Sequence, residues 1–171
     1  MPLELIVLIS SRYIYRKIQM AQDTNLTLTN EEQETILNSR FFVVKNQATQ
    51  KINELLAELE RRLSEKISTD SLFRNPELEI RDKGKIFRGE NYKLMPYLIL
   101  DCPRLFNAES VFAFRSMFRW GHEFSFSLQL QGKALDLFRK KILLNVSSLQ
   151  DQNFFFCVND TPWEYDFDEK N

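Results

Sequence analysis

The sequence predicts an α+β fold in which N-terminal helices pack on a small, mainly antiparallel sheet and further helices connect the strands. Three observations predict it. Ala48, Ile52, Leu55, Leu56, Leu59, Leu63 and Ile67 recur at three- and four-residue intervals, the period of one helix face. Residues 123–131 alternate instead, with Phe124, Phe126, Leu128 and Leu130 on one side and Ser125, Ser127, Gln129 and Gln131 on the other. That period of two belongs to a strand. Tyr97-Leu-Ile-Leu is a short apolar run opened by Pro96 and closed by Asp101-Cys-Pro103, which reads as a buried strand. A partly parallel sheet is the second choice of topology.

The elements follow in order. Residues 3–20 form an imperfect amphipathic helix, with Ile6, Ile9 and Tyr13 on one side and Arg12, Arg16 and Lys17 towards its end. Asp23–Thr29 reads as a loop. Thr29-Asn-Glu-Glu32 is a capping box, so a short helix follows to about Asn38. In the leucine-striped helix, Glu58 with Arg62 and Arg61 with Glu65 stand four apart on the polar side. The stripe suits a seam between subunits or packing on the chain's own sheet, and packing within the chain is favoured. Residues 68–81 are polar and irregular, with a turn signal at Asn75-Pro76. Strands are expected near 94–101, 122–131 and 153–159. Helices are expected at about 108–118 and 133–144, the second with Arg139, Lys140 and Lys141 in its last turns. The expectation is a single domain over 1–171: a helical part at 1–68, a strand–helix–strand core at 84–159 and an acidic aromatic tail at 160–171.

Composition narrows the function classes. Hydrophobic residues make up 43% of the 171, and fifteen phenylalanines point to an aromatic core. The net charge of −1 gives no global pull towards nucleic acid or an anionic membrane. The charge is uneven: residues 151–171 carry six acidic residues and one lysine, while the rest is net basic. The apolar stretch Leu3–Ile9 is too short to span a bilayer and lacks the preceding positive charge of a secretory signal. Cytoplasmic location is therefore expected. The two cysteines, Cys102 and Cys157, read as reduced and structural.

Several chemistries are excluded by pattern. Four glycines supply no GxGxxG. Gly84 and Gly89 have the spacing of a phosphate loop, but Glu90-Asn91 follows where Lys-Ser/Thr is required. A single histidine and the absence of CxxC argue against a zinc site, and no GxSxG marks a nucleophile elbow.

What remains is a set of polar residues around the expected strand ends: Arg88, Glu90, Asn91 and Tyr92 before the first strand, Asp101 and Arg104 after it, Trp120 and His122 at the start of the second. The arginines have the planar forks that hold an anionic group. His122 suits a general base beside a carboxylate, or a backbone-bonded histidine at a strand edge, and the second is favoured. A Cys102–His122 nucleophile pair, and a metal held by Glu90, Asp101 and His122, are weaker readings. Arg81, Lys83, Lys85 and Arg88 form either a nucleic-acid patch or an edge that uses charge to discourage pairing, and the edge is favoured. Arg115 and Arg119, four apart on the expected middle helix, are candidates to pair with the acidic tail. The neutral face Ser125, Ser127, Gln129 and Gln131 is expected to meet solvent by default, with ligand or subunit contact as alternatives.

At RGENYKLMPYLILDCPRLF (88–106) and MFRWGHEFSFSLQLQGK (117–133) the chain resembles a group of uncharacterised bacterial proteins of about its length. The resemblance covers most of residues 84–133. It implies a bacterial cytoplasmic protein and carries over no activity, cofactor or catalytic residue. The expectation is a non-enzymatic interaction or assembly protein, with a homodimer or another protein as partner, no membrane contact, nucleic acid disfavoured, and neither cofactor nor metal. The alternative is a small enzyme or ligand-binding domain that uses Arg88, Glu90, Asp101, Arg104 and His122 to hold an anionic small molecule.

Overall fold

In the computed structural model the described residues are 27–149, apart from 74, 75, 77, 81, 82 and 123, together with 152 and 154–157. The helix expected at 3–20, most of the loop before Thr29, Arg81 of the basic stretch and the tail at 160–171 lie outside them. The chain divides into two compact units, Met1–Gln47 and Ala48–Asn171.

In the first unit, α1 (Asn30–Leu37) starts on the capping box that the sequence carries. The Glu32 amide donates to Thr29 Oγ1 at 3.2 Å, and the Thr29 amide donates to Glu32 Oε2 at 2.7 Å. These bonds satisfy two amides that a helix start would leave unpaired. Asn38 then breaks the helix and begins the next one, its Oδ1 accepting from the Phe41 amide at 3.0 Å. That next helix, α2 (Ser39–Thr69), runs on into the second unit. Its polar side carries the expected ion pairs. Arg62 Nε reaches Glu58 at 2.7 Å, Arg61 Nη1 reaches Glu65 at 2.6 Å, and Arg61 also forks onto Glu58.

The second unit holds a four-stranded antiparallel meander in the order β1 (Lys85–Tyr92), β2 (Met95–Phe106), β3 (Ser110–Arg119), β4 (Phe124–Gly132), followed by α3 (Lys133–Asn145). One face of the sheet carries two apolar clusters. Leu56 and Ile67 of α2 bury against Leu98, Leu100 and Cys102, ringed by Ile52, Leu59, Leu63, Ile86, Phe118 and Phe124. Most of the leucine stripe is thus spent on the chain's own sheet. Farther along the same face, Phe112 and Leu105 meet Ala134 and Phe138 of α3 and Leu78 from the segment before β1. Leu78 and Ile80 therefore pack, although the segment around them reads as plain connection. No helix among the described residues is long and apolar enough to cross a membrane.

The α+β class and the antiparallel sheet are as expected, but the path through the sheet is not. Residues 108–118, expected as a helix, form β3, so the centre of the chain is strand–strand–strand and turns rather than helices join the strands. Asn107 Oδ1 accepts from the amides of Glu109 and Ser110 at 3.0 and 2.8 Å. That closes a hairpin turn. Both faces of β3 are largely buried, which erases the polar–apolar alternation that would have marked it as a strand.

β2 also runs past its expected end at Asp101. Its pairing slips between Asp101, opposite Arg115, and Arg104, opposite Ala113. Three residues on β2 thus match two on β3, a bulge that admits Pro103 into a central strand. Residues 154–157, expected within a strand at 153–159, are exposed and irregular. β1 is not among the expected strands: residues 88–92, placed before the first strand, lie within it. It is an edge strand of the kind that the reading of the lysines as an edge strand or loop allows.

Two glycines are required by close approach. A Cβ at Gly89 would meet the ring of Tyr97, its cross-strand neighbour, at 2.3 Å. At Gly132, where β4 turns into α3 with φ of +56°, a Cβ would meet the carbonyl oxygen of Glu109 at 1.9 Å. No L side chain fits either place without moving backbone or ring.

Candidate functional site

Cross-strand register decides which of the expected site residues can meet. Residues an odd number apart along a strand face opposite sides of a sheet. Leu98 and Leu100 face the helices, so Ile99 and Asp101 face the other way. Arg88 pairs opposite Leu98, and Lys85 opposite Asp101. Arg88 and Asp101 therefore lie on opposite faces.

Asp101 is committed to a partner. Arg115, directly opposite on β3, donates from Nε to Oδ1 at 2.7 Å and from Nη2 to Oδ2 at 2.9 Å. The side chains are 2% and 6% exposed, so this is a two-pronged ion pair inside the protein. Arg115, a candidate to pair with the acidic tail, has this in-sheet acceptor, and the tail lies outside the described residues. Around the pair lie Ile99 and Met117, with Tyr92 and Tyr97 packed against them. Tyr92 meets the Tyr97 ring edge-on at 6.1 Å, and the Arg119 guanidinium stands 5.5 Å from the Tyr92 ring. This contact suits a cation over an aromatic face.

The other expected residues are dispersed. Arg88, exposed on β1, donates to Glu90 Oε1 from Nε and Nη2 at 3.2 and 3.1 Å. Asn91 is exposed beside them. Arg104 lies past the β2 bulge, with Nε buried and without a hydrogen-bond partner. Trp120 sits edge-on to Phe118 at 6.0 Å, and its Nε1 is likewise buried without a partner. His122 is exposed in the β3–β4 turn, its amide donating to the Arg119 carbonyl at 3.1 Å. The strand path from Arg115 to Arg119 alone separates Asp101 from that turn by about 13 Å. Cys102 is buried on the helical face, with Ser64 Oγ 3.7 Å from its sulfur. It has no route to His122. Among the described residues no group of three His, Cys, Asp or Glu is placed to hold a metal ion. So the structure joins Arg88 with Glu90, and Tyr92 with Arg119, but it does not assemble Arg88, Asp101, Arg104 and His122 into one cleft.

The second candidate is the outer strand β4, where burial inverts the expectation. Ser125, on the side expected to meet solvent, is 7% exposed, and its Oγ is buried without a partner. On the apolar side Phe124 packs on Phe118 at 5.2 Å, and Leu130 joins the cluster under α3. Between them Phe126 and Leu128 are 58% and 51% exposed. Phe114 of β3 stacks on Phe126, with ring centroids 6.4 Å apart and planes 14° from parallel. The result is an apolar patch that reaches the rim of the sheet.

Among the described residues no strand pairs with the outer side of β4. β4 pairs with β3 without a register shift from Phe124 to Gly132, and it carries no charged residue and no proline. β1, the opposite edge, has Lys85, Arg88 and Glu90 and a register shift between Gly89 and Tyr92. Charges and bulges are how edge strands avoid pairing with other chains, and β4 has neither. The signal for this was in the sequence as an uncharged alternating run, but nothing there marks it as an edge. Comparison with protein-family models, curated proteins and solved structures finds no match to this chain.

Proposed function

We propose that this is a non-enzymatic interaction or assembly protein of the bacterial cytoplasm, which engages its partner by strand addition at the β4 edge. The observation that carries the reading is the uncharged, unbroken edge strand with Phe126 and Leu128 exposed on its apolar side. An added strand would satisfy outward-facing backbone groups of β4, and alternate side chains would read the partner's pattern. Cys102 and Cys157, read as reduced cysteines, suit a reducing compartment. The dispersal of Arg88, Asp101, Arg104 and His122 over two faces and a turn supports this reading over a ligand site built from them.

Hydrogen exchange with an added strand tests it. The probe is a synthetic peptide of the Phe124–Gln131 sequence with lysines at its ends for solubility, and a scrambled peptide is the control. The expected result is slowed exchange along β4, with β1 unchanged. Equal exchange of β4 with and without the peptide, at a dilution where the chain is a monomer, would end the reading.

A further inference from the structure

Edge pairing has a symmetry that the two rims of this sheet resolve. β4 against β1 of a neighbour would be a head-to-tail contact, free to continue into a filament. That contact would set Lys85, Arg88 and Glu90, with the β1 register shift, against an uncharged strand. β4 against β4 avoids this. The strand has no formal charge, so a copy meets it without like-charge repulsion.

The geometry of such a pair is self-consistent. A two-fold axis normal to the sheet makes the two β4 strands antiparallel and keeps the same face of both sheets on the same side. The alternation then falls in phase: Phe126 and Leu128 of one copy lie beside Phe126 and Leu128 of the other. The exposed Phe126, stacked on the half-buried Phe114, then meets its counterpart across the axis. Because β1 is guarded, pairing stops at two copies.

Resting on the strand-addition reading above, we infer that the partner of the β4 edge is a second copy of this chain, forming a closed dimer with one sheet running through both subunits.

The test is the mass in solution of the full chain and of two opposite charge variants, read by light scattering after size exclusion at tens of micromolar. The wild-type chain is expected at twice 20.4 kDa. Leu128→Lys and Leu128→Glu, each at a half-exposed side chain, are each expected to run as monomers with an unchanged circular dichroism spectrum. A one-to-one mixture of the two is expected to return to the dimer mass, since opposite charges then meet across the axis. The mixture guards against misfolding, because variants that had lost the fold would not recover by mixing. A wild-type monomer would overturn the inference, as would a dimer that persists in both variants. If the wild type is monomeric and the edge peptide still slows exchange in β4, only the second copy falls. If neither dimer nor protection is seen, strand addition falls with it.

Discussion

Asp101 shows how much one residue's surroundings can change its meaning. A carboxylate at the end of an apolar run, one position before a cysteine and a proline, reads as a ligand or an acid–base group. In the fold it accepts both prongs of Arg115 and is nearly inaccessible. Burying both charges is costly, and their attraction offsets that cost only while both are present. Asp101→Asn should therefore cost about 3–5 kcal/mol, because it removes the carboxylate that both prongs of the buried Arg115 guanidinium bind. Replacing both, Asp101→Leu with Arg115→Met, should cost less than the single change. Urea unfolding of Asp101→Asn, Asp101→Leu, Arg115→Met and the double variant checks this. A double variant as unstable as the sum of its single changes would mean that the two side chains act separately.

At the scale of the element, α2 combines two independent sequence signals. Its apolar stripe faces the sheet and its charges face out. Glu58 accepts from both Arg61 and Arg62, and these hydrogen bonds lower its pKa to about 2. A carboxylate whose folded pKa is depressed contributes stability above its unfolded value and loses it as pH falls through the folded one. The contribution of Glu58 should be complete above about pH 4.5 and fade towards pH 2. Since the group is solvent-exposed, the effect is small and screened by salt. Melting curves between pH 5 and pH 2 should fall less steeply for Glu58→Gln than for the wild type at low ionic strength, and the difference should vanish in ~1 M salt. Parallel curves at low salt would show that the ion pairs add nothing.

For the second unit as a whole, the helix and the sheet share one core. Leu56 is fully buried among Ile67, Leu98, Leu100 and Cys102, so it joins α2 to the central strand. Leu56→Ala should cost about 2–5 kcal/mol, depending on how far the site collapses around the lost volume. Helical circular dichroism and near-ultraviolet aromatic signal should fall together at the lowered melting temperature. A helix signal that outlasts the aromatic one would mean that α2 holds without the sheet. The core also explains why exposed apolar side chains lie on β4. The helices cover the sheet over β2 and at the Leu105–Phe112 end, and they leave Phe126 and Leu128 exposed.

Local signals determined the α1 cap, the α2 stripe with its ion pairs, the extent of α3 and the strand at β4, because each rests on neighbours within a few residues. The α+β class follows from those elements. What the local pattern could not carry was decided by pairing between distant strands. Residues 110–119 became a strand because they lie between two others, where burial on both faces removes the period that marks a strand. Asp101 found Arg115 through register rather than spacing, and the β2 bulge let a proline-marked end continue to Phe106. The two rims were also a matter of topology. A strand is an edge only by virtue of what pairs with it, and no feature of Phe124–Gly132 alone says that it ends the order of the described strands.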